Sequence, residues 1–125
     1  MRVLLDTQIF LWFLADSPKL KAKVRTAIQA ADEVYVSAVS IWEAALKVSI
    51  GKLDVAPASL QAGIDASGFI ELPVRAIHAV AVASLPTHHR DPFDRMLVAQ
   101  AMQEPMALFT ADPLLARYSE LVQVI

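Results

Sequence analysis

Short β-rich runs alternate with longer segments of helical period along the whole chain, and this alternation constrains the fold more than any other feature. Strands separated by helices pair in parallel, because each crossover returns the chain to the same edge of the sheet. The strands expected are Val3–Leu5, Val34–Val36, Phe69–Leu72, Ala107–Thr110 and Val122–Ile125. Helical period runs through Thr7–Ala15, Pro18–Ala31, Ala38–Ile50, Pro57–Ser67, Arg75–Leu85 and Pro92–Gln103, with a short helix after Asp112. Prolines 18, 57, 92 and 113 suit first-turn helix positions, where a missing N–H costs nothing. At 125 residues the chain holds one core, so residues 1–125 are expected to form a single α/β domain.

Composition excludes several chemistries. There is no cysteine, which removes disulfides, thiolate zinc sites and cysteine nucleophiles and suits a reducing cytoplasm. The opening Met1–Leu5 is interrupted by Asp6, and the apolar run Ile9–Ala15 ends at Asp16 without a small-residue cleavage site, so a secretion signal is not expected. No apolar run approaches the ~20 residues that span a bilayer. With 11 basic and 13 acidic residues the net charge is −2, so any contact with nucleic acid must be local or mediated by a metal. The apolar share, 56%, exceeds what one small core absorbs and points to an oligomer.

In an open parallel sheet, ligands bind beyond the carboxyl ends of the strands. Asp6, Ser37 and Asp112 lie just after expected strands, and Asp91 and Asp94 stand at the start of the helix beginning at Pro92. Each aspartate has a plain alternative as a helix cap or as a first-turn anion favoured by the helix dipole. Glu43 lies inside a helix and cannot cap it. Its plain alternative is a solvated residue paired with Lys47 at i+4, and periodicity does not place it in the crevice. Convergence of several carboxylates would demand a cation. Oxygen ligands without thiolates favour magnesium or manganese, and such a site suits phosphodiester hydrolysis by an activated water.

Taken together, Leu4-Leu5-Asp6-Thr7, Val36-Ser37-Ala38-Val39-Ser40-Ile41-Trp42-Glu43, His89-Arg90-Asp91-Pro92-Phe93-Asp94-Arg95-Met96-Leu97-Val98-Ala99-Gln100-Ala101 and Phe109-Thr110-Ala111-Asp112 resemble, in order and spacing, PIN-domain proteins and specifically the VapC ribonuclease toxins of type II toxin–antitoxin pairs. The resemblance implies a three-layer α/β/α fold on a five-stranded, mostly parallel sheet. It implies a Mg2+- or Mn2+-dependent endoribonuclease with Asp6, Glu43, Asp94 and Asp112 as catalytic metal ligands and Asp91 as an accessory carboxylate. Cleavage of a structured RNA, transfer or ribosomal, would leave a 3′-hydroxyl and a 5′-phosphate. A homodimer and a VapB-like antitoxin are the implied partners. Gln8 departs from many relatives, which carry histidine there.

Thr7, Ser37 and Thr110 stand where hydroxyls orient a carboxylate or water, or equally cap a helix or close a strand. Arg90 and Arg95 flank the acidic segment as phosphate contacts or as ion-pair partners of Asp91 and Asp94. Lys19, Lys21, Lys23 and Arg25 give a basic helix that reads first as a solvated face and second as a track for an RNA backbone. His88 and His89 read first as solvated loop residues and second as contacts to RNA phosphate or a metal, His78 as partly buried, and Trp12 and Trp42 as core or interface.

Two other classes compete. His89-Arg90-Asp91 matches a kinase catalytic loop locally, but Met96 stands where asparagine is required and no glycine-rich loop exists. A phospho-signalling receiver would need an acidic neighbour beside Asp6 and an aspartate after the third strand, where Leu5 and Leu72-Pro73 stand. A PIN fold kept purely for binding would not need the complete acidic set.

Overall fold

The computed structural model describes residues 1–125. Five strands form one sheet in the order β3-β2-β1-β4-β5: β1 Arg2–Leu5, β2 Glu33–Ser37, β3 Ile70–Leu72, β4 Ala107–Thr110 and β5 Val122–Val124. All four pairings are parallel. The chain winds outward from β1 through β2 to β3 and then returns to the other side of β1 as β4. The winding therefore reverses between β1 and β4, which opens a crevice at their carboxyl ends.

The helices are α1 Thr7–Leu14, α2 Ala22–Ala30, α3 Ala38–Ser49, α4 Pro57–Ala66, α5 Ala76–Val82 and α6 Pro92–Gln103, with a short 3-10 turn at Pro113–Arg117. They cover both faces because the strands are apolar on both. Val3 and Leu5 enter one core with Phe10, Val24, Ile28 and Ile64 from α1, α2 and α4. The intervening Leu4 enters the other, with Leu97, Val98 and Leu115 from α6 and the 3-10 turn. This alternation follows from the two-residue period of a strand and yields three layers.

Two expectations are changed, one a helix boundary and one a burial. Pro18 does not open a helix. Asp16 leaves α1 with φ of 49°, Ser17 N–H donates back to Trp12 O, and the Ser17 hydroxyl accepts from Lys19 N–H, so residues 17–20 form a turn. Helix α2 therefore starts at Ala22, and Lys19 and Lys21 do not continue its face. Arg25, on α2, pairs with Asp16 at 3.2 Å and lies 4.6 Å from the Phe13 ring centroid. It is a link to α1 rather than part of a basic track. Trp42 is the other departure: it is 59% exposed, resting edge-on against Phe93 at 5.0 Å, so it is not a core residue.

Helix α6 carries Asp94 in its first turn behind the N-cap Asp91, and is anchored by fully buried Leu97. Leu97→Ala is expected to lower stability by about 2–5 kcal/mol, whereas Leu46→Ala, on the exposed side of α3, should change it by about 0.5 kcal/mol or less. Denaturant titration of both variants checks the assignment of the second core.

Candidate active site

Four chain segments deliver carboxylates to the β1/β4 crevice. Asp6 ends β1, and its N–H continues the ladder to Phe109 O at 3.0 Å. Its Oδ1 then accepts from Ile9 N–H at 2.8 Å, capping α1. Asp112, two residues beyond β4, caps the 3-10 turn through Leu114 N–H at 2.9 Å. Asp91 caps α6 by accepting from Phe93 N–H and Asp94 N–H. The capping and site readings of these aspartates are thus not alternatives: one oxygen holds the helix start, and the same helix start aims the residue at the crevice.

A pocket of about 400 Å³ is lined by Asp6, Glu43, Asp91, Asp94 and Asp112, with Lys47 as its one cationic side chain. Glu43 reaches it from the second turn of α3. It is 7% exposed, against the solvated reading, although its Oε2 does pair with Lys47 Nζ at 2.9 Å. Its Oε1 is buried with no hydrogen-bond partner. An unpartnered buried carboxylate oxygen costs free energy, so this atom fits a site completed by a cation.

The electrostatics agree. Asp94 is pushed up to about 7, first by burial and then by the charges of Asp91, Asp6 and Glu43, partly offset by the His89 imidazole. Asp6 is also raised by burial, with Glu43 adding to the rise, while the Thr110 hydroxyl and the Ile9 and Ala111 backbone pull it down. Five carboxylates facing one lysine carry surplus negative charge. Hard oxygen donors of this kind match Mg2+ or Mn2+.

The three hydroxyls stand close by. Ser37 caps α3 through Val39 N–H at 3.1 Å. Thr7 Oγ1 donates to Ser40 Oγ at 2.9 Å, tying α1 to α3 one turn before Glu43. Thr110 Oγ1 accepts from Asp112 N–H at 3.0 Å. Ser40, buried and joined to Thr7, had no distinguishing signal in the sequence.

The basic residues lie elsewhere. Arg95 is turned into the loop before α6, where its guanidinium donates to carbonyls of Val82, Leu85, Pro86 and His89. That engagement, not an ion pair with Asp91 or Asp94, is the contact it makes. Exposed Arg90 forms no ion pair and lines a shallow apolar depression with Trp42 and Met96. Trp12 is partly buried at the rim of the acidic pocket. His78 is fully buried: its Nδ1 accepts from Arg75 N–H at 3.0 Å, and its Nε2 lies 2.7 Å from Glu104 Oε2.

His89 is the residue that sequence reasoning ranked too low, its metal or phosphate reading standing second to a solvated one. Its Nε2 is 2.9 Å from Asp112 Oδ2 and 3.7 Å from Asp94 Oδ2, so it is a member of the acidic cluster and not a solvated loop residue. His88 instead packs edge-on against Tyr118, with ring centroids 5.0 Å apart.

Residues 3–121 match the PIN domain family. Among curated proteins, Ribonuclease VapC22 of Mycobacterium tuberculosis is 29% identical over 112 residues, covering 88% of this chain and 86% of that protein. Two solved structures share the fold at low identity. VapBC2 from Rickettsia felis, bound to a DNA fragment from its promoter, superposes with a TM-score of 0.72 at 16% identity, covering 100% of this chain and 98% of that one. A toxin–antitoxin complex from Klebsiella pneumoniae gives 0.68 at 14% identity, with 98% and 96% covered.

The raised Asp94 has a measurable consequence. Between about pH 4 and about 7 the folded protein retains a proton that the unfolded chain has released, so metal-free stability falls as pH rises through that window. Thermal melting with chelator, from about pH 4 to about pH 8, is expected to show that fall. Asp94→Asn should flatten the slope, and an unchanged slope would remove Asp94 as its source.

Proposed function

This chain belongs to the PIN-domain family, and on that premise we propose that it is the ribonuclease toxin of a type II toxin–antitoxin pair, hydrolysing RNA phosphodiester bonds with a divalent cation. The observation that carries the reading is the meeting of Asp6, Glu43, Asp94 and Asp112, from distant parts of the sequence, in one pocket at the reversal point of the sheet.

The residues have separable tasks. Asp6, buried, and Asp94, half-buried, both with raised pKa, would hold the cation together with Glu43 and Asp112, and Asp91 stands beside them with Oδ1 already committed to the helix. Of the two α6 aspartates, Asp94 is the freer ligand, since it caps nothing. Lys47 neutralises one Glu43 oxygen and leaves the other for the site. When bound, Mg2+ or Mn2+ supplies positive charge that attracts a phosphodiester and acidifies a water at neutral pH. The protein's own share is to position these ligands and the RNA backbone, which explains how a chain of net charge −2 can act on a polyanion.

Apolar surface fits the expected partners. A groove between α1 and α4, lined by Leu14, Leu53, Val55 and Leu60, shares Leu11 with the acidic pocket and suits an antitoxin segment that runs toward the carboxylates. Trp42, Leu46 and Ile50 expose a stripe along α3 that suits a second copy of the chain. No helix is long and apolar enough to cross a membrane.

Purified protein, freed of antitoxin, is expected to cut transfer or ribosomal RNA into discrete fragments with Mg2+ or Mn2+, and to stop when EDTA is added. Asp6→Asn keeps a capping oxygen, so it should fold, yet lose cleavage by roughly 100-fold or more. Intact RNA of both classes beside demonstrable metal binding would contradict the nuclease reading.

A further inference from the structure

We propose that His89 is a positioning residue for the acidic site, acting through an Nε2–H that holds the Asp112 carboxylate, and is not itself a metal ligand. This rests on the reading of the pocket as a metal site. The argument begins at the other ring nitrogen. Asp91 N–H donates to His89 Nδ1 at 3.0 Å, and a backbone amide has no alternative role to play in that bond. Nδ1 is therefore an acceptor, the ring proton sits on Nε2, and Nε2 faces Asp112 Oδ2 at 2.9 Å as a donor. Ligation through Nε2 would need the proton on Nδ1, pointed at an N–H already there.

The backbone of His89 is held as tightly as its ring. The Tyr118 hydroxyl accepts from His89 N–H at 2.8 Å and lies 3.3 Å from His89 O, to which it donates. Arg95, itself 3.2 Å from that hydroxyl, ties down the surrounding loop through four carbonyls. Asp112 and Tyr118 stand at opposite ends of the same 3-10 turn. One short element thus grips the imidazole with its N-cap residue and the main chain with its C-cap residue. The fold otherwise gives Asp112 Oδ2 no protein partner, so without His89 this carboxylate would be held by its capping oxygen alone.

Long-range proton–nitrogen NMR on the full chain reads the tautomer directly. The expected result is an unprotonated Nδ1 and a protonated Nε2 at His89, unchanged when Mg2+ is added. A proton on Nδ1, or loss of the Nε2 proton with Mg2+, overturns the proposal in favour of ligation. Mn2+ titration supplies the second readout: His89→Ala should weaken binding by about 10-fold, and His89→Gln, whose amide can donate from the Nε2 position, should recover most of it. Equal weakening in both variants, with both still melting like the wild type, counts against the donor role. If the wild type bound no metal, the metal reading would fall while the tautomer still judged His89. If it bound metal but cut no RNA, only the nuclease reading would fall.

Discussion

The repulsion among carboxylates at one sheet edge is the constraint around which the molecule is organised. Like charges in a partly buried site raise one another's pKa and destabilise the chain that carries them, and Asp94 shows both burial and its acidic neighbours acting in that direction. The fold withstands this because three of the four aspartates are fixed by structure made for another purpose. Asp6, Asp91 and Asp112 cap helical segments, and the strands before Asp6 and Asp112 are locked in register by the parallel ladder. Carboxylate positioning therefore comes from the β1/β4 pairing and from helix starts, while the two apolar layers hold those helices in place.

Much of this was legible in the chain itself. The five strands, their parallel pairing and six helices follow from alternation of apolar runs, and the helix ends moved by only a few residues except at Pro18. That exception is instructive. A proline that suits a helix start was overruled by local bonds of Asp16 and Ser17, which spend the backbone donors on a turn before the helix begins. Asp6 and Asp112 could be located because a residue after a parallel strand has few places to go. Glu43 could not, since helical period left it beside an apolar stripe with Lys47 as partner; only the family resemblance put it among the ligands.

His89 and Arg95 escaped for a different reason. Their partners are distant in sequence: Asp112 and Tyr118 lie 23 and 29 residues from His89, and the carbonyls that hold Arg95 come from a loop with no regular period. Chemistry alone favoured a solvated histidine in a polar loop, and left an arginine beside acids equally open to phosphate or an ion pair. Placement puts the histidine in the acidic cluster and Arg95 on loop carbonyls instead of an acid. Trp42 was read from its apolar neighbours, yet the helix turns it outward onto Phe93.

The central claim is that Asp6, Glu43, Asp94 and Asp112 form one divalent-cation site. Anomalous diffraction from crystals grown with Mn2+ tests it most directly. The account predicts an anomalous peak inside the pocket between β1 and β4, within bonding distance of Asp94 and at least one of the other three carboxylates. A peak elsewhere, or no peak at saturating Mn2+ with the pocket open to solvent, would contradict it.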